Sequence, residues 1–125
     1  MRLETRKLLL DATEACRSVQ ERCATQTLEQ YSQDRWFRRA VEREFEIIGE
    51  ARNRLNRVDP ATAARITELR RTVDFRNRLI HGYDAIDDQI VWGILERRLP
   101  ALAKELEDLM KEGGGSDAAE SSDGA

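Results

Sequence analysis

Residues 34–60 read DRWFRRAVEREFEIIGEARNRLNRVDP, and their spacing decides the fold. Phe37, Val41, Phe45, Ile48 and Leu55 recur at three, four and seven residues, which is the period of one helical face and not of a strand. Asp34 stands where an N-cap acceptor is wanted, and Val58-Asp59-Pro60 stops the pattern, so one long helix is predicted between them. Gly49 inside it costs about 1 kcal/mol relative to Ala and reads as a place where a neighbouring helix approaches closely. Glu42, Glu46 and Glu50 repeat at four residues, where like charges repel unless Arg38, Arg39, Arg43 or Arg54 neutralise them. An ion-paired surface stripe is expected, with Glu46 or Glu50 its candidates for bordering a cleft.

Working outward, Leu9, Ala12, Cys16, Val19 and Cys23 give a first helix from about Arg2 to Ala24. Thr27 can cap a short helix over TLEQYSQD. Pro60 can open the next segment at its first turn. Ile66, Leu69, Val73 and Ile80 mark a fourth helix that Gly82 ends. Asp87 then caps a fifth, with Ile90, Ile94, Leu95, Leu99, Leu102, Leu106 and Leu109 toward the core, and Pro100 predicts a kink near Glu96 to Leu99. Short connections and the absence of strand-and-turn spacing give an all-α antiparallel bundle of four main helices plus a short helix. Trp36, Trp92, Tyr31 and Phe37 read as core or dimer-interface anchors.

The chain has 125 residues, with 21 Lys and Arg against 24 Asp and Glu, which is the size of one domain. Residues 113–125, GGGSDAAESSDGA, hold no large apolar side chain and read as a disordered acidic tail, leaving 1–112 as the folded body. That body is electrically neutral, so any nucleic-acid contact must be local and DNA binding through charge alone is not expected. Its modest complement of Leu, Ile, Val and Phe points to help from oligomerisation. No apolar run approaches the ~20 residues that span a bilayer, and no secretory leader is visible, so a soluble, cytoplasmic protein is expected. Cys16 and Cys23 lie seven residues apart on one helix, about 10 Å along its axis, and read as core thiols rather than a bridge.

The chain lacks a phosphate-cradling Gly loop, HExxH, CxxC and a Ser elbow, which removes most familiar enzyme classes and leaves no evident metal or cofactor site. One stretch gathers chemistry: Val73-Asp74-Phe75-Arg76-Asn77-Arg78-Leu79-Ile80-His81-Gly82-Tyr83-Asp84 contains the single His of the chain where a helix gives way to a loop. Asn77 and Arg78 share the face of His81, whereas Arg76 lies five residues before it and points about 140° away. Arg76 and His81 converge if the helix unwinds, or if two copies face each other across a two-fold axis. A His exchanges protons at neutral pH and an Arg fork matches a phosphate, which suits attack of an RNA 2′-hydroxyl on its own phosphodiester. From the residues alone a plainer reading also stands: His81 as a cation on the helix dipole, with Arg76 and Arg78 paired to Asp74 or Asp84.

The run Arg76 to Tyr83 reads R-x4-H-x-Y and resembles the signature of HEPN-domain ribonuclease toxins of the HepT type, whose antitoxin is a minimal nucleotidyltransferase. Asp34 to Ala51, with Ile47-Ile48-Gly49-Glu50-Ala51, resembles that family's third-helix motif. Asp87 to Leu102, with Val91-Trp92 and Leu99-Pro100, resembles its last helix, and the likeness covers roughly residues 1–110. Ile66-Thr67-Glu68-Leu69-Arg70-Arg71-Thr72 is richer in charge than the Ile-Pro-Trp approach of many members.

The resemblance implies a HEPN-like homodimer with Arg76 and His81 as catalytic residues in a cleft between protomers, the Arg on the scissile phosphate and the His in proton transfer. Asn77 is the supporting residue on the same face as His81. Tyr83 takes the position to which the antitoxin attaches AMP, where added charge and bulk would block RNA. The implied activity is metal-independent endoribonuclease, with no cofactor. The alternative is a non-catalytic HEPN module that binds nucleotide or scaffolds a nucleotidyltransferase, which would not need His81 and Arg76 as a pair.

Overall fold

A computed structural model describes residues 1–67 and 88–124, with side chains through Gly113. It is an all-α bundle with no strand among the described residues, as the periodicity requires. The helices are α1 (Leu3–Cys23), α2 (Leu28–Gln33), α3 (Arg35–Val58), α4 (Pro60–Ala64), α5 (Asp88–Arg97) and α6 (Leu99–Gly124). The fourth helix expected from Ile66 to Ile80, its stop at Gly82 and the Asp87 cap lie outside the described residues, apart from Ile66, which is buried.

Three junctions are built by residues that the sequence nominates. Thr27 caps α2 in a reciprocal box: its hydroxyl accepts from Gln30 N–H at 3.1 Å, while its own N–H donates to Gln30 Oε1 at 2.8 Å. Asp34 Oδ1 accepts from Phe37 N–H at 3.0 Å and starts α3. Pro60 occupies the first turn of α4, where a missing N–H costs nothing.

The core is built on α1, which packs most extensively on α3 and next on α6. Leu9, Ala12 and Cys16 from α1 meet Val41, Ile48 and Leu55 from α3 and Leu99, Leu102 and Leu106 from α6, all buried. Gly49 is buried on the same side of α3. At one edge Tyr31, Phe37 and Trp92 form a cluster that ties α2, α3 and α5, with ring centroids 5.2 Å apart for Tyr31–Phe37 and 5.5 Å for Tyr31–Trp92. Tyr31, Phe37 and Trp92 are therefore core anchors, as expected. Trp36 is not part of the core: it stands 79% exposed, which leaves the dimer-interface reading for it. Ile90 also departs from the expected core face and is 47% exposed, because Trp92 turns α5 so that Val91, Trp92 and Leu95 face inward.

The C-terminal helical region differs from its expected form. Instead of one kinked helix, the chain makes two, separated by Arg98, and Pro100 falls in the opening turn of α6. The path remains continuous because Arg98 N–H bonds Ile94 O at 2.9 Å and Leu102 N–H bonds Arg98 O at 3.0 Å. The helix α6 has its bounds at Leu99 and Gly124. Gly113 is packed beneath the N-terminus, and a Cβ there would come within 2.5 Å of Met1 Sδ.

A polar clamp closes this same end of the bundle, at the start of α1. Asp59 Oδ2 accepts from the Thr5 hydroxyl at 3.1 Å and the Thr62 hydroxyl at 2.7 Å, and Oδ1 accepts from Thr62 N–H at 3.2 Å. Arg2 Nη1 donates to Val58 O at 3.1 Å alongside. These donors, Thr62 first, hold the Asp59 carboxyl below its ordinary value. Asp59→Ala is expected to lower stability by about 1–2 kcal/mol, the value of an N-cap with good partners, read as a fall in Tm. Asp59→Asn keeps an acceptor but loses the charge. Because the folded-state pKa is depressed, the carboxylate's contribution is complete above the usual carboxylate range and vanishes as pH falls through the folded value. The stability gap between wild type and Asp59→Asn should therefore narrow in acid; a gap independent of pH would contradict this account.

Candidate active site

The residues nominated for catalysis and its control, Arg76, Asn77, His81 and Tyr83, all lie outside the described residues, as do Asp74, Arg78 and Asp84. The scaffold on either side is described. Before the motif, Arg65 Nη2 grips both carboxylate oxygens of Glu112 at 3.1 and 2.8 Å, and Ile66 is sunk into the core, tying the chain leaving α4 to α6. After it, α5 is locked in place by Trp92. The motif thus departs from and returns to fixed elements, as a site that must hold reacting groups requires.

Two open faces flank this scaffold. One, about 510 Å³, lies along α5 and the start of α6 and is lined by Gln89, Ile90, Gly93, Ile94, Arg97, Arg98 and Ala101. The other is a groove between α1 and α3 in two adjoining cavities that share Ser18 and Glu44. Its first part, about 360 Å³, is bordered by Arg22, Asp34, Trp36, Phe37 and Ala40, and the second, about 410 Å³, by Asp11, Glu14, Ala15 and Ile47. The Arg22 guanidinium lies over the Phe37 ring, 5.6 Å from its centroid.

Two of the three stripe glutamates are ion-paired within α3. Glu46 meets Arg43 at 3.3 Å and Glu50 meets Arg54 at 3.4 Å, all exposed. Among the α3 glutamates it is Glu44 that lines the groove, on a different helical face from the stripe. The same spacing carries a signal against a core place for Trp36: it precedes Phe37 by one position, about 100° off the buried stripe.

The cysteines are free. Cys16 is fully buried, and burial, helped by the Glu44 carboxylate, pushes its thiol up to about 12. Burial and Glu96 push half-buried Cys23 up to about 11. Neither thiol supplies a nucleophile near neutral pH, since the thiolate is the reactive form. Burial likewise raises the Tyr31 hydroxyl, with Asp88 and Glu42 adding to the shift. Among the described residues no group of three or more His, Cys, Asp or Glu is placed to hold a metal ion, and no helix is long and apolar enough to cross a membrane.

An all-α bundle carrying R-x4-H-x-Y between fixed helices defines a class, and comparison with known proteins supplies the family. Residues 12–109 match the family described as ribonuclease HepT-like, and the chain belongs to it. It is 30% identical over 115 residues to a protein of Thermococcus cleftensis named a probable ribonuclease HepT, covering 89% of this chain and 100% of that one. A Methanocaldococcus jannaschii protein provisionally named an RNase is 28% identical over 114 residues, covering 91% of this chain and 93% of the relative. No solved structure matches the chain.

Proposed function

We propose that this protein is the metal-independent endoribonuclease toxin of a toxin–antitoxin pair, held inactive when a nucleotidyltransferase antitoxin adenylylates Tyr83. The observation that carries this reading is that Arg76, His81 and Tyr83 stand in the R-x4-H-x-Y order inside the span 12–109 shared with the HepT-like family. Arg76 holds the scissile phosphate and balances its developing charge. The RNA 2′-oxygen bonds to phosphorus and the phosphorus–O5′ bond breaks. His81 serves the proton movement, from the attacking hydroxyl or to the departing 5′-oxygen. The products are a 2′,3′-cyclic phosphate and a 5′-hydroxyl. On a continuous helix the five-residue spacing of Arg76 and His81 would turn them about 140° apart, which favours a working pair formed across a homodimer over one made by unwinding the helix, with Asn77 on the face of His81 as a positioning residue.

The test is cleavage of single-stranded RNA by the purified chain in EDTA. Activity should persist and leave cyclic phosphate ends. Loss of all cleavage on chelation, or a 5′-phosphate product, contradicts the mechanism. A chain that binds its transferase partner yet cuts no RNA is a scaffold instead. Sedimentation should show a dimer at micromolar concentration, and a strict monomer removes the composite site.

A further inference from the structure

Trp36 is the largest side chain left in solvent among the described residues, at 79% exposure, although it sits beside the aromatic cluster that buries Phe37 and Trp92. An indole so exposed gains nothing for folding. The opening of α3 is also electrostatically wrong for a helix: its first turn has no acid, while Arg35 and Arg38 sit at the positive end of the dipole, with Arg39 next. Arg35 and Arg39 are exposed and make no ion pair among the described residues, and Arg22 reaches in from α1 to the cavity that Trp36 borders. Asp34 is already engaged as the cap of α3. Asp34 at the cap offsets only part of this charge, and an exposed indole beside Arg35 and Arg39, exposed and unpaired among the described residues, marks a surface shaped for a ligand.

We infer that Trp36, with Arg22, Arg35 and Arg39 around it, binds one unpaired base of single-stranded RNA and the phosphates on either side. The indole stacks on the base, the cavity of about 360 Å³ beside it takes the base and its ribose, and the guanidiniums hold the backbone. The groove is polarised: Arg22 borders the first cavity, whose far edge carries Glu44, and the second cavity adds Asp11 and Glu14 with no basic residue, which repel a phosphate chain. The strand is therefore held at the Trp36 end only, a subsite of one or two nucleotides. Stacking tolerates any base, so this subsite gives affinity and selects unpaired strands without reading sequence.

The inference rests on the ribonuclease reading for its substrate, and the test separates the two. A 2′-O-methyl oligoribonucleotide, which lacks the attacking hydroxyl, serves as the binding probe beside cleavable RNA of the same sequence. Binding should quench tryptophan fluorescence in wild type and in Trp92→Phe, but not in Trp36→Phe. Trp36→Ala should weaken binding about tenfold and raise KM by the same factor with kcat unchanged, while Trp36→Phe keeps most of the affinity. Arg39→Gln should reduce the salt dependence of binding by about one phosphate contact. Unchanged binding and KM in Trp36→Ala overturn the subsite while leaving the ribonuclease intact. Wild-type chain that binds and quenches with the probe but cuts no RNA overturns the ribonuclease reading and keeps the subsite. Loss of the dimer in Trp36→Ala makes the indole a contact between protein chains and overturns the inference.

Discussion

Cleavage by His81→Ala is expected to fall by about 10²–10⁴-fold in single-turnover rate at saturating RNA, the usual contribution of a positioned proton-transfer group. Arg76→Ala should lose a comparable factor, and Arg76→Lys should recover only part of it, because an ammonium cannot match the phosphate with a planar fork. The double variant should be little worse than either single one, since the two groups act as a unit. Mixing the two inactive single variants gives the sharpest outcome. If the site joins Arg76 of one protomer to His81 of its partner, a mixed dimer has one site lacking both groups and one site intact. After free subunit exchange half of the dimers are mixed, so about a quarter of wild-type activity should return. No recovery, with exchange verified, means that both groups act within one chain and that the helix unwinds before His81.

The helix ends were legible because caps are local chemistry. Thr27, Asp34 and Pro60 each act within three residues of themselves, and the structure uses all three as the spacing predicts. Asp59 is only half of that kind. It was visible as part of a stop signal, but its bond to Thr5 joins positions 54 apart in sequence, and no local pattern shows such a contact. The break at Arg98 belongs with it: Pro100 announces a disturbance in a helix, and packing decides whether the chain bends or restarts.

Side-chain direction was legible where a stripe was long and ambiguous where it was short. The α3 pattern runs for six turns and places Phe37, Val41, Phe45, Ile48 and Leu55 in the core. In α5, only ten residues long, Ile90 and Val91 are equally apolar neighbours, and Trp92 settles which of them faces inward by meeting Tyr31. The candidate site divides in the same manner. Arg76, His81 and Tyr83 stand out as residue types in a fixed order, whereas the groove beside Trp36 exists only once α1 and α3 are packed. Arg22 and Trp36, fourteen positions apart and on different helices, share no sequence signal.

Tyr83→Phe is expected to abolish adenylylation completely while leaving RNA cleavage in place. Tyr83 follows His81 by two residues and comes just after Gly82, so the phenol sits beside the catalytic pair in sequence without being one of its members. In the transfer the phenol oxygen bonds to the α-phosphorus of ATP, pyrophosphate leaves, and the phenol proton is released. On the proposed reading a charged nucleotide would then be tethered where the substrate phosphate must approach, and would compete with the RNA for Arg76. Incubation with the cognate transferase, ATP and magnesium should add the mass of whole AMP groups to wild type and none to Tyr83→Phe, read by intact mass spectrometry. Wild-type cleavage should fall in proportion to the labelled fraction, and the Tyr83→Phe protein should go on cutting in the presence of its antitoxin. Because the substitution keeps the ring, a folded and dimeric Tyr83→Phe protein that no longer cleaves RNA would show that the hydroxyl takes part in phosphate binding or proton transfer. Labelling that persists in Tyr83→Phe would place the acceptor elsewhere on the chain and detach regulation from the catalytic motif.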